Sequence, residues 1–149
     1  MSDAAREIEN LLYAYAERID AGDLEGVAAL FEHGSITSAP KAPVEKVARG
    51  RDAVLELYQG STRLYEDGTP RTKHVTTNAI IEVENNDHAS ARSYYTVFQQ
   101  LDDFPLQPII AGRYQDSFHR MDGRWWFERR TMFVDLLGDL SRHLLFDLK

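Results

Sequence analysis

Apolar residues recur at Ile8, Leu11, Leu12, Tyr15 and Ile19, the spacing of one helix face, so residues 3–19 are predicted as a first helix. Ala21-Gly22 interrupts the period, and Asp23 is placed to cap a second helix over residues 24–31. His33-Gly34 stops that helix; residues 35–39 predict a short strand and Pro40-Lys41-Ala42-Pro43 a loop. A third helix opens at Gly50-Arg51-Asp52, with Val54, Leu55 and Tyr58 on its apolar side and Leu64-Tyr65 as a possible continuation. Past the turn Glu66-Asp67-Gly68-Thr69-Pro70 the period becomes extended. Residues 72–83 and 88–100, rich in β-branched and aromatic side chains, predict a hairpin around Asn85-Asn86-Asp87. Residues 101–108 read as a longer loop, and residues 109–121 and 124–134 as a second hairpin around Asp122-Gly123. Leucines at 136, 140, 144 and 148 predict a helical tail over residues 135–149. Packing on the barrel or on a partner subunit is the favoured role for that tail, with a lid over a cavity mouth as the sharper alternative.

Helices followed by antiparallel strands give an α+β arrangement, three helices on one face of a curved sheet, whose concave side suits a small ligand. A chain of 149 residues holds one domain with a real core, and no repeat or linker divides it. Seventeen basic against 24 acidic side chains leave a net charge of −7, with no basic cluster, which argues against nucleic acid as a partner. No stretch reaches the length of a membrane span, and Met1-Ser2-Asp3-Ala4 does not open a secretory signal, so a cytoplasmic protein is expected. With no cysteine there is neither disulfide nor thiolate chemistry. The histidines show no paired ligand spacing, so no metal and no cofactor is expected.

Two residues carry the candidate chemistry. His74 stands at the front of the first long strand, and Asp20 ends the first helical pattern. An imidazole on a strand and a carboxylate at a helix end are the parts of a general-base dyad, because imidazole is a neutral base near pH 7 and a carboxylate on its other nitrogen fixes the tautomer. Each has a plainer alternative: a hydrogen-bonded structural histidine, and an aspartate that only makes the turn into Asp23. Strand parity places Asn78 on the His74 face; Tyr95, Val97 and Gln99 share one face of their strand, as do Gly112, Tyr114 and Asp116 of theirs, all read as facing inward unless a bulge reverses the parity. Of the adjacent Trp125 and Trp126, one should face the core and the other the opposite side.

Several runs resemble SnoaL-like proteins of the nuclear transport factor 2 superfamily: Tyr13-Ala14-Tyr15-Ala16-Glu17-Arg18-Ile19-Asp20-Ala21-Gly22-Asp23-Leu24, Gly50-Arg51-Asp52-Ala53-Val54, Thr72-Lys73-His74-Val75-Thr76-Thr77-Asn78, Ala91-Arg92-Ser93-Tyr94-Tyr95, Gly112-Arg113-Tyr114 and Met121-Asp122-Gly123-Arg124-Trp125. The resemblance implies a cone-shaped α+β barrel, a fold that hosts lyases, isomerases, hydrolases, dioxygenase small subunits and non-enzymes. The chain is most similar to the scytalone dehydratase and bile-acid dehydratase branch. There an aspartate at the end of the first helix pairs with a strand histidine, positions matched by Asp20 and His74, and a tyrosine five residues earlier is matched by Tyr15. Where scytalone dehydratase has a second histidine on the next strand, this chain has Gln99, and the serine and asparagine of the following strand fall at Gly112 and Tyr114.

The resemblance therefore implies a cofactor-independent lyase or isomerase of dehydratase type, acting on a small hydrophobic cyclic substrate. His74 would be the sole base, Asp20 its partner, and Tyr15 or Tyr114 the group polarising the substrate oxygen, with Asn78, Tyr95, Val97, Gln99 and Tyr114 lining the pocket. It also implies a homodimer. The competing expectation is a non-catalytic ligand-binding or assembly domain, or a small subunit resembling those of ring-hydroxylating dioxygenases. A hydrogen-bonded dyad inside a ligand-sized cavity favours the enzyme; an interior filled by Tyr15, Tyr95, Tyr114 and a tryptophan argues against it.

Overall fold

The computed structural model describes residues 3–38 and 46–146. The first helix, α1 (Ala4–Asp20), starts where the Asp3 carboxylate accepts the Arg6 amide, and it buries Ile8, Leu12, Tyr15 and Ile19 of the predicted apolar face together with Ala16, with Leu11 partly buried. It stops at Gly22, whose φ of +76° favours a residue without a side chain. The Gly22 amide donates to Ile19 O and that of Asp23 to Arg18 O. A Cβ at Gly22 would also lie 1.8 Å from Gly68 O, so the close approach of the 66–69 turn imposes glycine a second time. Asp23 then caps α2 (Leu24–Ala29) through the Gly26 amide, as the sequence predicted.

After α2 come β1 (Ser35–Ser38), β2 (Lys46–Arg49), α3 (Gly50–Ser61), β3 (Thr72–Val83), β4 (His88–Leu101), β5 (Phe104–Met121) and β6 (Arg124–Leu137). The predicted loop over residues 40–43, and Ala39 before it, lie outside the described residues. Among the described residues, three helices pack on one curled six-stranded sheet of order β2-β1-β6-β5-β4-β3. Only β1 and β6 run parallel; the other neighbours are antiparallel. Among the described residues no helix is long and apolar enough to cross a membrane.

The hairpin turns follow from their residues. The Asn85 side chain accepts the Asp87 and His88 amides, closing the β3–β4 turn. Asp122 and Gly123 both take positive φ, as a two-residue turn between twisted strands requires.

Three expectations need correction. Residues 101–108 are not a loop, since β5 already begins at Phe104. Two prolines disguised that strand, and the sheet accommodates Pro108 beside a register shift opposite Val97 and Phe98. The helical tail is absent among the described residues: β6 continues to Leu137 against Ile110, and residues 138–146 form turns. Leu136 is 70% exposed and Leu140 8%, so the leucine spacing does not form a helical stripe. Asn78 does not share the His74 face either. It sits in the β3 bulge at φ +55°, exposed, and the shift between Thr77 and Ile80 turns Ala79 and Ile81 inward instead.

On the other inner strands the expected parity matches the burial. Tyr95, Val97 and Gln99 of β4, Gly112, Tyr114 and Asp116 of β5, and Trp125 of β6 are all buried. The β5–β6 shift between Ser117 and Phe118 lets both Phe127 and Arg130 face the core. Gly112 has its own steric reason: a Cβ there would lie 1.9 Å from Phe133 O and 2.7 Å from the Tyr95 hydroxyl. Gly112→Ala is therefore expected to destabilise the fold by about 1–3 kcal/mol, the usual cost of overpacking. A urea midpoint equal to that of the unsubstituted protein would contradict this.

Candidate functional site

The last residue of α1 faces the first residues of β3. Asp20 Oδ1 lies 2.7 Å from His74 Nδ1 and accepts the Thr72 hydroxyl at 2.9 Å, while Oδ2 accepts the His74 amide at 2.8 Å. Burial pushes the Asp20 carboxyl up, but the hydrogen bonds and charge of His74, with the Thr72 hydroxyl, more than reverse this and hold it below its ordinary value. Asp20 is thus a carboxylate at neutral pH and can only accept, so Nδ1 of His74 carries the proton. Nε2 is left with a lone pair, and it makes no hydrogen bond among the described residues. The two side chains are largely enclosed, His74 8% and Asp20 13% exposed.

Beside the dyad, between α1 and β3, runs a solvent-open groove of about 490 Å³ lined by Tyr13, Ala16, Glu17, Asp20, Lys73, His74 and Thr76. That volume falls within the range of small-molecule sites. Its lining is more polar than the hydrophobic pocket expected from the sequence.

The middle of the barrel is a separate network. Arg130, fully buried, makes a bidentate pair with Asp116 at 2.8 and 3.0 Å. Its guanidinium lies 3.6 Å from the Tyr114 ring centre and 4.3 Å from that of Tyr15. Burial pushes the Asp116 carboxyl up against the pull of Arg130; burial also lowers Arg130, but the Asp116 charge and hydrogen bonds more than reverse that. Tyr15 shares a short hydroxyl hydrogen bond with Tyr58, and Tyr95 stacks on Tyr114 with ring centres 4.4 Å apart. Burial raises Tyr15, Tyr58, Tyr95 and Tyr114, which therefore stay protonated.

Of the residues singled out by sequence, Asp20 and His74 are brought together. Tyr15, Tyr95 and Tyr114 belong instead to the arginine cluster, and no hydrogen bond or ring contact among the described residues joins them to the dyad. Val97 is buried in the core. Gln99, 1% exposed, is a tether: its Nε2 donates to Pro70 O at 3.0 Å and Arg142 O at 3.1 Å. Asn78 lies away on its bulge. The interior is thus filled by tyrosines, Trp125 and Arg130, the arrangement expected to argue against the enzyme, while the dyad borders its own groove. Among the described residues no group of three or more His, Asp or Glu is placed to hold a metal.

One residue near the dyad escaped sequence reasoning. His143, on the 138–146 segment that replaces the expected helix, has its ring centre 6.1 Å from that of His74. It is 8% exposed, and its Nδ1 has no hydrogen-bond partner. Backbone bonds on either side hold it: Arg142 O accepts from Gln99 and Tyr65, His143 O accepts the Arg63 amide at 2.8 Å, and Leu144 pairs with Thr62. The only signal for it in the sequence was a histidine between leucines, Leu140 and Leu144, and that signal has no period.

A family model for the SnoaL-like domain matches residues 1–131. No curated protein matches the chain. Among solved structures, Rv3472 of Mycobacterium tuberculosis, a protein of unknown function, is 28% identical at a TM-score of 0.71, over 89% of this chain and 72% of that one. A proposed scytalone dehydratase of Novosphingobium aromaticivorans is 28% identical at a TM-score of 0.72, over 91% and 86%. The beta subunit of a proposed aromatic-ring-hydroxylating dioxygenase from the same organism, 23% identical at a TM-score of 0.70 over 90% of each chain, shares the fold.

Burial, and next the charge of His74, push His143 down to about 4 against the opposing pull of Asp20. A base depressed by folding binds fewer protons in the folded state, so stability is full above its ordinary value of 6.5 and is lost as pH falls towards about 4. Over that window this group should remove roughly 3 kcal/mol of unfolding free energy, at ~1.4 kcal/mol per pH unit. Asp20 adds its loss only at lower pH. Urea unfolding at several pH values checks this: His143→Phe should flatten the profile between pH 4 and 6.5, and an equal slope in that variant would contradict it.

Proposed function

Because the chain belongs to the SnoaL-like domain family, we propose that it is a cofactor-independent lyase or isomerase of dehydratase type, with His74 as general base. The observation that carries this reading is the Asp20–His74 pair, its Nε2 uncommitted beside a groove large enough for a small ring compound. Asp20 orients the ring and stabilises the imidazolium that forms. Nε2 takes a proton from a carbon acidified by a neighbouring carbonyl; the C–H electron pair becomes a C=C bond as the adjacent C–O bond breaks. The same proton returns from Nε2 to the departing oxygen, which leaves as water. Nothing is oxidised or reduced, and the enzyme ends as it began.

Similarity to a proposed scytalone dehydratase supports this class of reaction. A second reading, a non-catalytic binding or assembly domain, draws on the tyrosine-filled interior. It leaves unexplained why Asp20 and His74 are aligned with a free ring nitrogen.

A panel of hydroxylated ring ketones, screened by thermal shift and then for loss of water, tests the proposal. On any compound that turns over, His74→Ala and Asp20→Asn should each lower kcat about 100- to 10,000-fold. The melting temperature of His74→Ala should move by no more than about 4 °C. Unchanged turnover in both variants would sink the base reading, and unfolding of both would make the pair a structural joint.

A further inference from the structure

His143 holds an unused hydrogen-bonding nitrogen in a place where that is costly. A buried polar atom without a partner loses roughly 1–3 kcal/mol of solvation, and neighbouring Leu140 and Leu144 show that an apolar side chain suits this segment. The ring has little freedom to turn to water, because main-chain bonds of Arg142, His143 and Leu145 fasten both sides of it to Gln99, Arg63 and Ser61. Nor does it pair with the dyad: Asp20 takes Nδ1 of His74, and the two imidazole centres stand 6.1 Å apart at 65°. An oxygen atom about 2.8 Å from one nitrogen of each ring can bridge two imidazoles whose centres stand 6.1 Å apart.

We infer that His143 is a second substrate-contacting imidazole, which hydrogen-bonds to the hydroxyl or carbonyl oxygen of the compound whose carbon His74 deprotonates. It takes the oxygen-polarising role that Tyr15 and Tyr114, enclosed with Arg130, are not placed to fill. His143 remains neutral at neutral pH because burial and the neighbouring His74 disfavour its charge. It donates or accepts a hydrogen bond without changing protonation, so the proton cycle stays on His74. The ligand class follows: a small ring carrying a hydroxyl or carbonyl, held between a strand imidazole and one on the 138–146 segment.

This inference rests on the base reading of His74, and its test is separable from that reading because it scores oxygen binding rather than proton transfer. The full chain, with 15N-labelled histidine, is titrated with phenol and with cyclohexanone while ring nitrogen resonances are followed. The ring signals of both His74 and His143 should shift together and saturate. His143→Phe should weaken binding at least about tenfold, the value of one lost hydrogen bond, and His143→Gln should recover part of it. If the Phe variant does not fold, the Gln variant against the unsubstituted protein carries the comparison, with a smaller loss expected. Equal affinity in the folded variants, a His74 shift without one at His143, or no shift at either ring with either probe overturns the inference. A His74→Ala protein that still turns over substrate would instead sink the base reading and leave this measurement standing.

Discussion

The Asp20 carboxylate is the joint on which the site depends. It sits at the C-terminal end of α1, where the helix dipole disfavours negative charge by about 0.3–1 kcal/mol. What outweighs that cost is a set of donors from one neighbouring segment: the Thr72 hydroxyl, the His74 amide and the His74 ring. Charge-assisted bonds of this kind are about twice as strong as neutral ones. The segment is β3, whose only strand neighbour among the described residues is β4. Asp20 therefore does two things with one group, fastening the helix to β3 and fixing the imidazole that lines the groove. Gly22 makes this possible by ending the helix just beyond, under the Gly68 carbonyl.

A second constraint decides where a ligand has room. Arg130 and Asp116 are both buried, so each needs the other, and the tyrosine rings around them replace the water they lost. Breaking such a pair by removing one partner typically costs about 3–5 kcal/mol. The core is consequently committed in its middle to holding a charge pair. Space for chemistry remains in the groove between α1 and β3. The tyrosines, raised by burial, are hydrogen-bond donors within the core and poor candidates for a base.

How much of this was legible in the sequence depended on how local the cause was. The Asp20 helix end, the Asp23 cap, the Asn85 and Asp122-Gly123 turns and the inward parity of β4 and β5 each follow from residues within a few positions of one another. Asn78 could not be placed by parity, because a single extra residue at φ +55° reverses the face, and asparagine tolerates that conformation without any other mark in the sequence. Pro105 and Pro108 suggested a loop, since the pattern does not reveal that a register shift can house a proline inside a sheet. The leucine spacing after residue 135 carried a helical period, but β5 offered Ile110 and Ala111 as strand partners to Leu137 and Leu136, and Gly138 then donates to Ile109 O. Tertiary pairing overrode the local pattern there.

That override accounts for Gln99. By resemblance its position should hold a second histidine, and read on the strand alone the glutamine looks like a loss. In the fold its amide reaches Pro70 O on the approach to β3 and Arg142 O on the terminal segment, so it ties both to β4. The residue that Arg142 positions next in the chain is His143. A helix over the same stretch would have satisfied the Arg142 carbonyl internally, leaving Gln99 nothing there to hold. The turns of this segment leave that carbonyl free for Gln99 and Tyr65, and so bring the following imidazole beside His74. Replacing a strand histidine by glutamine is then compatible with keeping two imidazoles at the site, provided the second arrives from the end of the chain. The failure of the helical expectation and the tether made by Gln99 thus meet in one feature, the anchoring of residues 138–146 to Gln99, Arg63 and Ser61.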